Sequence, residues 1–227
     1  ESGRSPVHDC CRDGQETAAL LSAQPGPETG GQAASRYPAL TQPDMVHAAD
    51  TEEIPVQRHP YDILPLAEGG KLIFTPCPGT KGVALEESIS QLRQAGARAV
   101  ISLTPKTEMA RLEVEDLPQA CSKQGLDWFH LPVEDDSAPA AEFALDWTRE
   151  REKIMAILDR DGALAIHCKG GSGRTGLMAA IIMLERGMGL EQVISMVQRL
   201  RPKALRLQPH VEHLNELADK RGRGGQS

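Results

Sequence analysis

Between Ala165 and Leu177 the sequence reads AIHCKGGSGRTGL. A cysteine and an arginine stand at the two ends of a glycine-dense stretch, Cys168-Lys169-Gly170-Gly171-Ser172-Gly173-Arg174. Glycines at 170, 171 and 173 let the backbone turn its N–H groups inward with no Cβ in the way. The helix expected to start at Arg174 adds its positive N-terminal end at the same point. Together these make a cradle for a tetrahedral oxyanion. Arg174 supplies a planar fork able to hold two oxygens of such an anion. At the base, the donors that bind an anion also favour a thiolate on Cys168, the nucleophilic form of cysteine. The Thr175 hydroxyl is placed to bond the sulfur and ease its later departure. These residue types fit nucleophilic phosphoryl transfer through a cysteinyl-phosphate.

Taken one at a time, the same residues are ordinary. A cysteine at a strand end is usually a small hydrophobe, and an arginine at a helix start a solvated charge. The weight lies in the joint pattern. The loop also lacks the Gly-Lys-Ser/Thr ending of a P-loop. A leaving alkoxide needs a proton, so a general acid must lie near the loop. Upstream, HLPVEDDSAP offers Glu134, Asp135 and Asp136 after an expected strand. Residue type alone does not choose among the three, and at least two belong to a solvated acidic turn.

These groups need a scaffold that brings strand ends to one edge. Lys71–Thr75, Ala97–Leu103, Leu126–Leu131 and Ala163–Cys168 read as short apolar strands. The last, ALAIHC, has no polar alternation, so it is expected to be buried on both faces. Between them lie helical patterns. Leu85, Ile89 and Leu92 share one face of a helix that Gly96 stops, and a second helix is expected over Val114–Gln124. Phe143, Trp147, Ile154 and Leu158 line a third, and three more run over about 174–186, 190–200 and 209–220. Alternating strands and helices imply an α/β fold with a central, mostly parallel sheet flanked by helices. Ligands in such sheets sit at the carboxyl ends of the strands, where ALAIHC ends.

Composition sets the remaining bounds. Among 227 residues, 40% are hydrophobic but only 3% aromatic, so the core must be mainly aliphatic. A net charge of −7 argues against nucleic acid or an anionic membrane as partner. Residues 1–58 are rich in Gly, Pro, Ser, Gln and Ala and read as a disordered tail, with a short helix near Thr17–Ala23 at most. The folded domain is expected over 59–220, with 221–227 as a flexible tail. No stretch has the length of a membrane span or the apolar core of a signal peptide. The five cysteines, including adjacent Cys10 and Cys11, follow neither a disulfide framework nor zinc spacing. A reducing, cytoplasmic setting, a monomer, and no metal or cofactor are the expectations.

The segment His167-Cys168 through Arg174-Thr175 resembles the signature of the cysteine-dependent protein tyrosine and dual-specificity phosphatases, His-Cys-x5-Arg-Ser/Thr. FTPCPGTKG, LEESISQLRQAGARAVISL, LPVEDDSAP and RPKALRLQPHVEHL are similar to the kinase-associated, cyclin-dependent kinase inhibitor 3-like branch. The resemblance covers about Pro65 to Leu217 and implies a dual-specificity phosphatase-like fold. It further implies a phosphorylated protein as substrate, phosphotyrosine or phosphoserine/phosphothreonine. In that family the acid stands three positions after a loop proline. Pro132 therefore points to Asp135, with Asp136 in reserve. His167 would sit behind the thiolate, the amides of Lys169 through Arg174 (Gly170, Gly171, Ser172 and Gly173 between them) would bind phosphate, and Gln208 would help place the hydrolytic water. Two departures stand out. Lys169 and Ser172 replace the aromatic and apolar residues usual in the kinase-associated branch. Lys169 is instead similar to phosphoinositide and Cdc14-like phosphatases, which keeps a phosphoinositide substrate as the alternative. A catalytically dead anion-binding module would lack the cysteine, arginine or acid, and all three are present. A redox or sulfur-transfer enzyme would need Cys77 or Cys121 brought close to Cys168.

Overall fold

The structure, a computed structural model, describes residues 57–224. The expected helix near Thr17–Ala23, Cys10-Cys11 and nearly all of the expected tail lie outside the described residues. Five strands form one sheet in the order β1-β2-β5-β3-β4. These are β1 (Asp62–Pro65), β2 (Lys71–Pro76), β3 (Ala97–Ser102), β4 (Asp127–His130) and β5 (Ala163–Cys168). Strands β2, β5, β3 and β4 run parallel, and β1 pairs antiparallel with β2 at the edge. The mostly parallel sheet flanked by helices is thus the architecture the sequence pattern implies.

The centre of the sheet is where burial is most complete. All six residues of β5 are buried, as its unbroken apolar pattern requires. The pleat divides side chains between two cores. Leu72, Phe74, Ile101, Leu164 and Ile166 face the helices α4 (Ala141–Asp159), α5 (Gly173–Glu185), α6 (Leu190–Leu200) and α7 (Gln208–Gly224). Ile73, Val100, Ala163 and Ala165 face α1 (Leu85–Gln94), α2 (Lys106–Arg111) and α3 (Leu117–Lys123). This alternation has a direct consequence for the chemistry. Cys168 continues the row of Leu164 and Ile166 and joins the α4–α7 core, so its neighbour His167 must point to the other side of the sheet.

Three local differences from the sequence reading have simple causes. Strand β1, absent from the sequence reading, is only four residues long, and three of them are exposed at the sheet edge. The helix expected over Val114–Gln124 is the shorter α3, and a further short helix, α2, absent from the sequence reading, precedes it. Glu113 takes a left-handed φ of 56° after α2, and α3 starts only at Leu117 with a proline in its first turn. Finally, α7 runs on to Gly224, past the expected end of the domain at Lys220. No helix among the described residues is long and apolar enough to cross a membrane.

Because β5 is the shared central strand, its apolar side chains have no room to be replaced by solvent. Leu164→Ala, at a fully buried site, should cost about 2–5 kcal/mol of stability. Urea denaturation followed by circular dichroism would measure it. A loss under about 1 kcal/mol would contradict the packing described.

Candidate active site

Cys168 ends β5 and is 3% exposed. Its Sγ accepts the Gly171 N–H at 3.2 Å and the Thr175 Oγ1–H at 3.3 Å. Thr175 lies in the first turn of α5, so one donor comes from the loop and one from the helix. Two carbonyls of the loop are tied outward. The Lys169 oxygen accepts from the Cys77 N–H at 3.2 Å, and the Gly171 oxygen accepts from Arg201 Nε at 3.0 Å. Arg201 also bonds the Phe74 carbonyl and the Asp62 carboxylate, joining β1, β2 and the loop. With these two carbonyls held outside, the Gly171 N–H is free to face the Cys168 sulfur.

Of the three glycines in the loop, one is sterically required. Gly171 has φ +72°, and a Cβ there would lie 2.5 Å from the Pro76 nitrogen. A Cβ at Gly170 or Gly173 would meet nothing within 4 Å.

Arg174 is the largest of the fully buried side chains, at 2% exposure. Glu108 on α2 holds it with a two-pronged pair, Nη1 to Oε2 at 2.6 Å and Nη2 to Oε1 at 3.0 Å. Nη1 also donates to the Val133 carbonyl at 3.2 Å. Burial works against the guanidinium's charge, but Glu108, Cys168 and Asp135 outweigh it and raise its pKa overall. In return, the hydrogen bond from Arg174 holds the Glu108 carboxyl below its usual range. The Arg174 Nε lies 3.1 Å from Asp135 Oδ1, yet its N–H is not aligned on that oxygen and has no hydrogen-bond partner among the described residues. A buried charged donor is therefore left open, the condition for receiving an anionic oxygen.

Behind the nucleophile, His167 is fully buried on the other face of the sheet. Its Nε2 meets Ser102 Oγ at 2.7 Å, and Ser102 in turn accepts from Trp128 Nε1 at 2.8 Å. Burial lowers the His167 pKa to about 3, so the ring is neutral near pH 7. His59, against Thr75 on β2, is lowered by burial to about 4.

The acidic triplet sits on the tight turn Glu134–Ser137, closed by the Ser137 N–H on the Glu134 oxygen at 3.3 Å. The turn brings Asp135 to the Arg174 guanidinium, with its side chain 66% exposed. Asp136 has the left-handed φ of 56° within that turn.

Lys169 is exposed on the rim. Gln208 is not drawn into this set: it is exposed and donates to Glu212 Oε1 one helical turn away. Cys77 and Cys121 belong to the core on the face opposite Cys168. Burial pushes both thiols up to about 12, which leaves them neutral. Among the described residues, no cluster of three His, Cys, Asp or Glu side chains is arranged to hold a metal ion.

Glu108 and Arg201 were not found from sequence. The only available signal was indirect: a buried arginine requires a carboxylate, but nothing in a linear sequence says which of 32 acidic residues it is.

Known proteins are similar to this chain in sequence and in fold. Residues 78–188 match a family described as polymorphic toxin system, DSP-PTPase phosphatase. Cyclin-dependent kinase inhibitor 3 from Sus scrofa is 26% identical over 195 residues, covering 81% of this chain and 91% of that protein. A solved kinase associated phosphatase, with its catalytic-site cysteine replaced by serine, superposes with a TM-score of 0.59 at 19% identity, over 76% of this chain and 99% of that one. These matches support a phosphatase of the dual-specificity type, near the kinase-associated branch. Protein tyrosine phosphatase domain-containing protein 1 from Bos taurus is 30% identical over 126 residues, 52% of this chain, but the chain spans only 15% of that relative's length. The likeness to such relatives is that of one phosphatase domain.

Two predictions follow from the geometry of this phosphatase domain. Gly171→Ala should destabilise the protein by about 1–3 kcal/mol from backbone strain alone, while Gly170→Ala should stay within about 0.5 kcal/mol. Paired thermal melts of the two variants check the difference. Separately, His59 and His167 stay neutral when folded but protonate near 6.5 when unfolded. Their contribution to stability is complete above about pH 6.5 and is lost as pH falls toward 4 and 3. Denaturant midpoints should therefore drop between about pH 7.5 and about pH 5, and His59→Gln should shrink that drop. An equal drop in the variant would rule out His59 as a source.

Proposed function

We propose that the domain hydrolyses phosphate monoesters on proteins through a cysteinyl-phosphate, with Cys168 as nucleophile, Arg174 and the loop amides as phosphate ligands, and Asp135 as acid and base. One observation carries this reading: Cys168 Sγ accepts two hydrogen bonds beside a buried arginine whose Nε–H is unpaired. Both donors point at the sulfur, where negative charge gathers as it leaves phosphorus. The unpaired Nε and the inward amides are complementary to equatorial oxygens as charge shifts in the transition state.

The steps balance as follows. The sulfur attacks phosphorus in line, forming an S–P bond as the P–O bond to the leaving group breaks. Asp135, protonated, gives its proton to the departing oxygen. It then takes a proton from the water that attacks phosphorus, and the S–P bond breaks. Thr175 Oγ1 donates to the sulfur as negative charge returns to it. Asp135 thus regains from the attacking water the proton it gave up, and its exposure leaves room for that water to reach it.

The relatives named as protein tyrosine phosphatase or cyclin-dependent kinase inhibitor support a phosphoprotein substrate. A specific feature favours a second reading: Lys169, next to the nucleophile and exposed, gives the rim a positive charge that a phosphoinositide headgroup could also use. Lys169→Ala should then depress turnover of a soluble phosphoinositide more than that of a phosphopeptide.

Turnover of aryl phosphates provides the main test. Cys168→Ser should reduce hydrolysis to background. Asp135→Ala should slow phenyl phosphate about 10²–10⁴-fold and leave a dinitrophenyl ester nearly unaffected. Full activity in Cys168→Ser would overturn the mechanism. The same losses in Asp136→Ala, with none in Asp135→Ala, would move the acid by one residue.

A further inference from the structure

His210 is fully buried near the start of α7, and its Nε2 lies 3.0 Å from the carbonyl oxygen of Ser137. A carbonyl can only accept, so Nε2 carries the hydrogen. The ring's other nitrogen, Nδ1, has no partner among the described residues. Burial lowers the ring's pKa, which agrees with a neutral Nε2–H tautomer.

Ser137 is the closing residue of the turn that carries the acid. Its N–H bonds the Glu134 oxygen, and its hydroxyl bonds the Asp135 carbonyl at 3.2 Å. The opposite end of the turn is fastened through Val133. Its N–H bonds the Leu103 oxygen at 2.9 Å, and its carbonyl accepts from Arg174. One end is thus tied to the sheet and the phosphate-binding arginine, and the other to the last helix through a single buried imidazole. Asp135 is 66% exposed, so packing does not fix its side chain, and the turn backbone sets where the carboxyl stands.

We propose that His210 is a positioning residue. By holding the Ser137 carbonyl it keeps the turn in place, and with it the Asp135 carboxyl in reach of the leaving oxygen. This rests on Asp135 being the general acid. A histidine that merely fills space would affect stability, whereas one that positions the acid affects those reactions that need a proton.

The experiment uses the full chain and a series of aryl phosphates, from dinitrophenyl to phenyl, with wild type, Asp135→Ala, His210→Phe and His210→Gln. Asp135→Ala should steepen the dependence of kcat on leaving-group acidity. His210→Phe should steepen it in the same sense, with phenyl phosphate slowed about 10-fold and the dinitrophenyl ester changed less than about 2-fold. His210→Gln, which can donate an amide N–H to the same carbonyl, should recover most of the loss. Equal slowing of every ester by His210→Phe, or unchanged rates throughout, would overturn the inference even if Asp135→Ala behaves as an acid variant should. A flat dependence in Asp135→Ala would remove the acid assignment and this inference with it. Should His210→Phe fail to fold, His210→Asn, too short to reach the carbonyl, reads out the same slope.

Discussion

Burying the Arg174 guanidinium is the constraint around which the active-site end of this domain is arranged. An isolated charge in that position would be prohibitively costly, so it must be paired and its protons satisfied. Glu108 takes two N–H directions and the Val133 carbonyl shares one of them. The Nε–H has no aligned hydrogen-bond partner among the described residues, although the Asp135 carboxylate lies 3.1 Å away. A group that is expensive to bury is thus nearly, but not fully, compensated, and an anionic phosphate oxygen completes the set. The same pairing fixes the arginine's orientation, which matters because a planar fork discriminates by direction as much as by charge.

The phosphate-binding loop is shaped by contacts made from outside it. Arg201 and the Cys77 N–H each hold a loop carbonyl. The end of β2 packs so close to Gly171 that no side chain fits there. These contacts come from β1, β2 and the segment after α6, elements far apart in sequence. Preorganisation of this kind is what lets donors act on a developing charge without reorganising first. It also divides labour across the sheet. Cys168 faces the helical core that supplies Arg174 and Thr175, while His167 faces the opposite side, where Ser102 and Trp128 form a buried polar chain behind it.

The acid turn illustrates a different balance. In the proposed mechanism Asp135 must admit first the leaving oxygen and then a water, so it stands open, yet at a defined distance from the leaving group. Placing it on a four-residue turn clamped at Val133 and at Ser137 meets both demands. A mobile loop carrying the same residues would keep the exposure and give up the distance.

The sequence by itself determined the local pattern. Buried strands read as unbroken apolar runs, the Cys168–Thr175 loop read as an anion cradle, and the helices α1, α4, α5 and α6 followed their apolar periods, because each of these depends on neighbours within a few residues. It could not determine what is decided by packing at long range. Strand β1 is a four-residue edge element that only its pairing with β2 defines, and the short helix α2, ended by a left-handed Glu113, leaves no period long enough to read. Glu108 is 66 residues from its arginine and His210 is 73 from its carbonyl. Of the three carboxylates at 134–136, only the folded turn brings Asp135 to the Arg174 guanidinium. Gln208, attractive from its position in the chain, faces solvent and Glu212 instead. The residue types of the chemistry are local, but the partners that orient them are chosen by the topology, since a charge or carbonyl can be satisfied only by what the fold brings within about 3 Å of it.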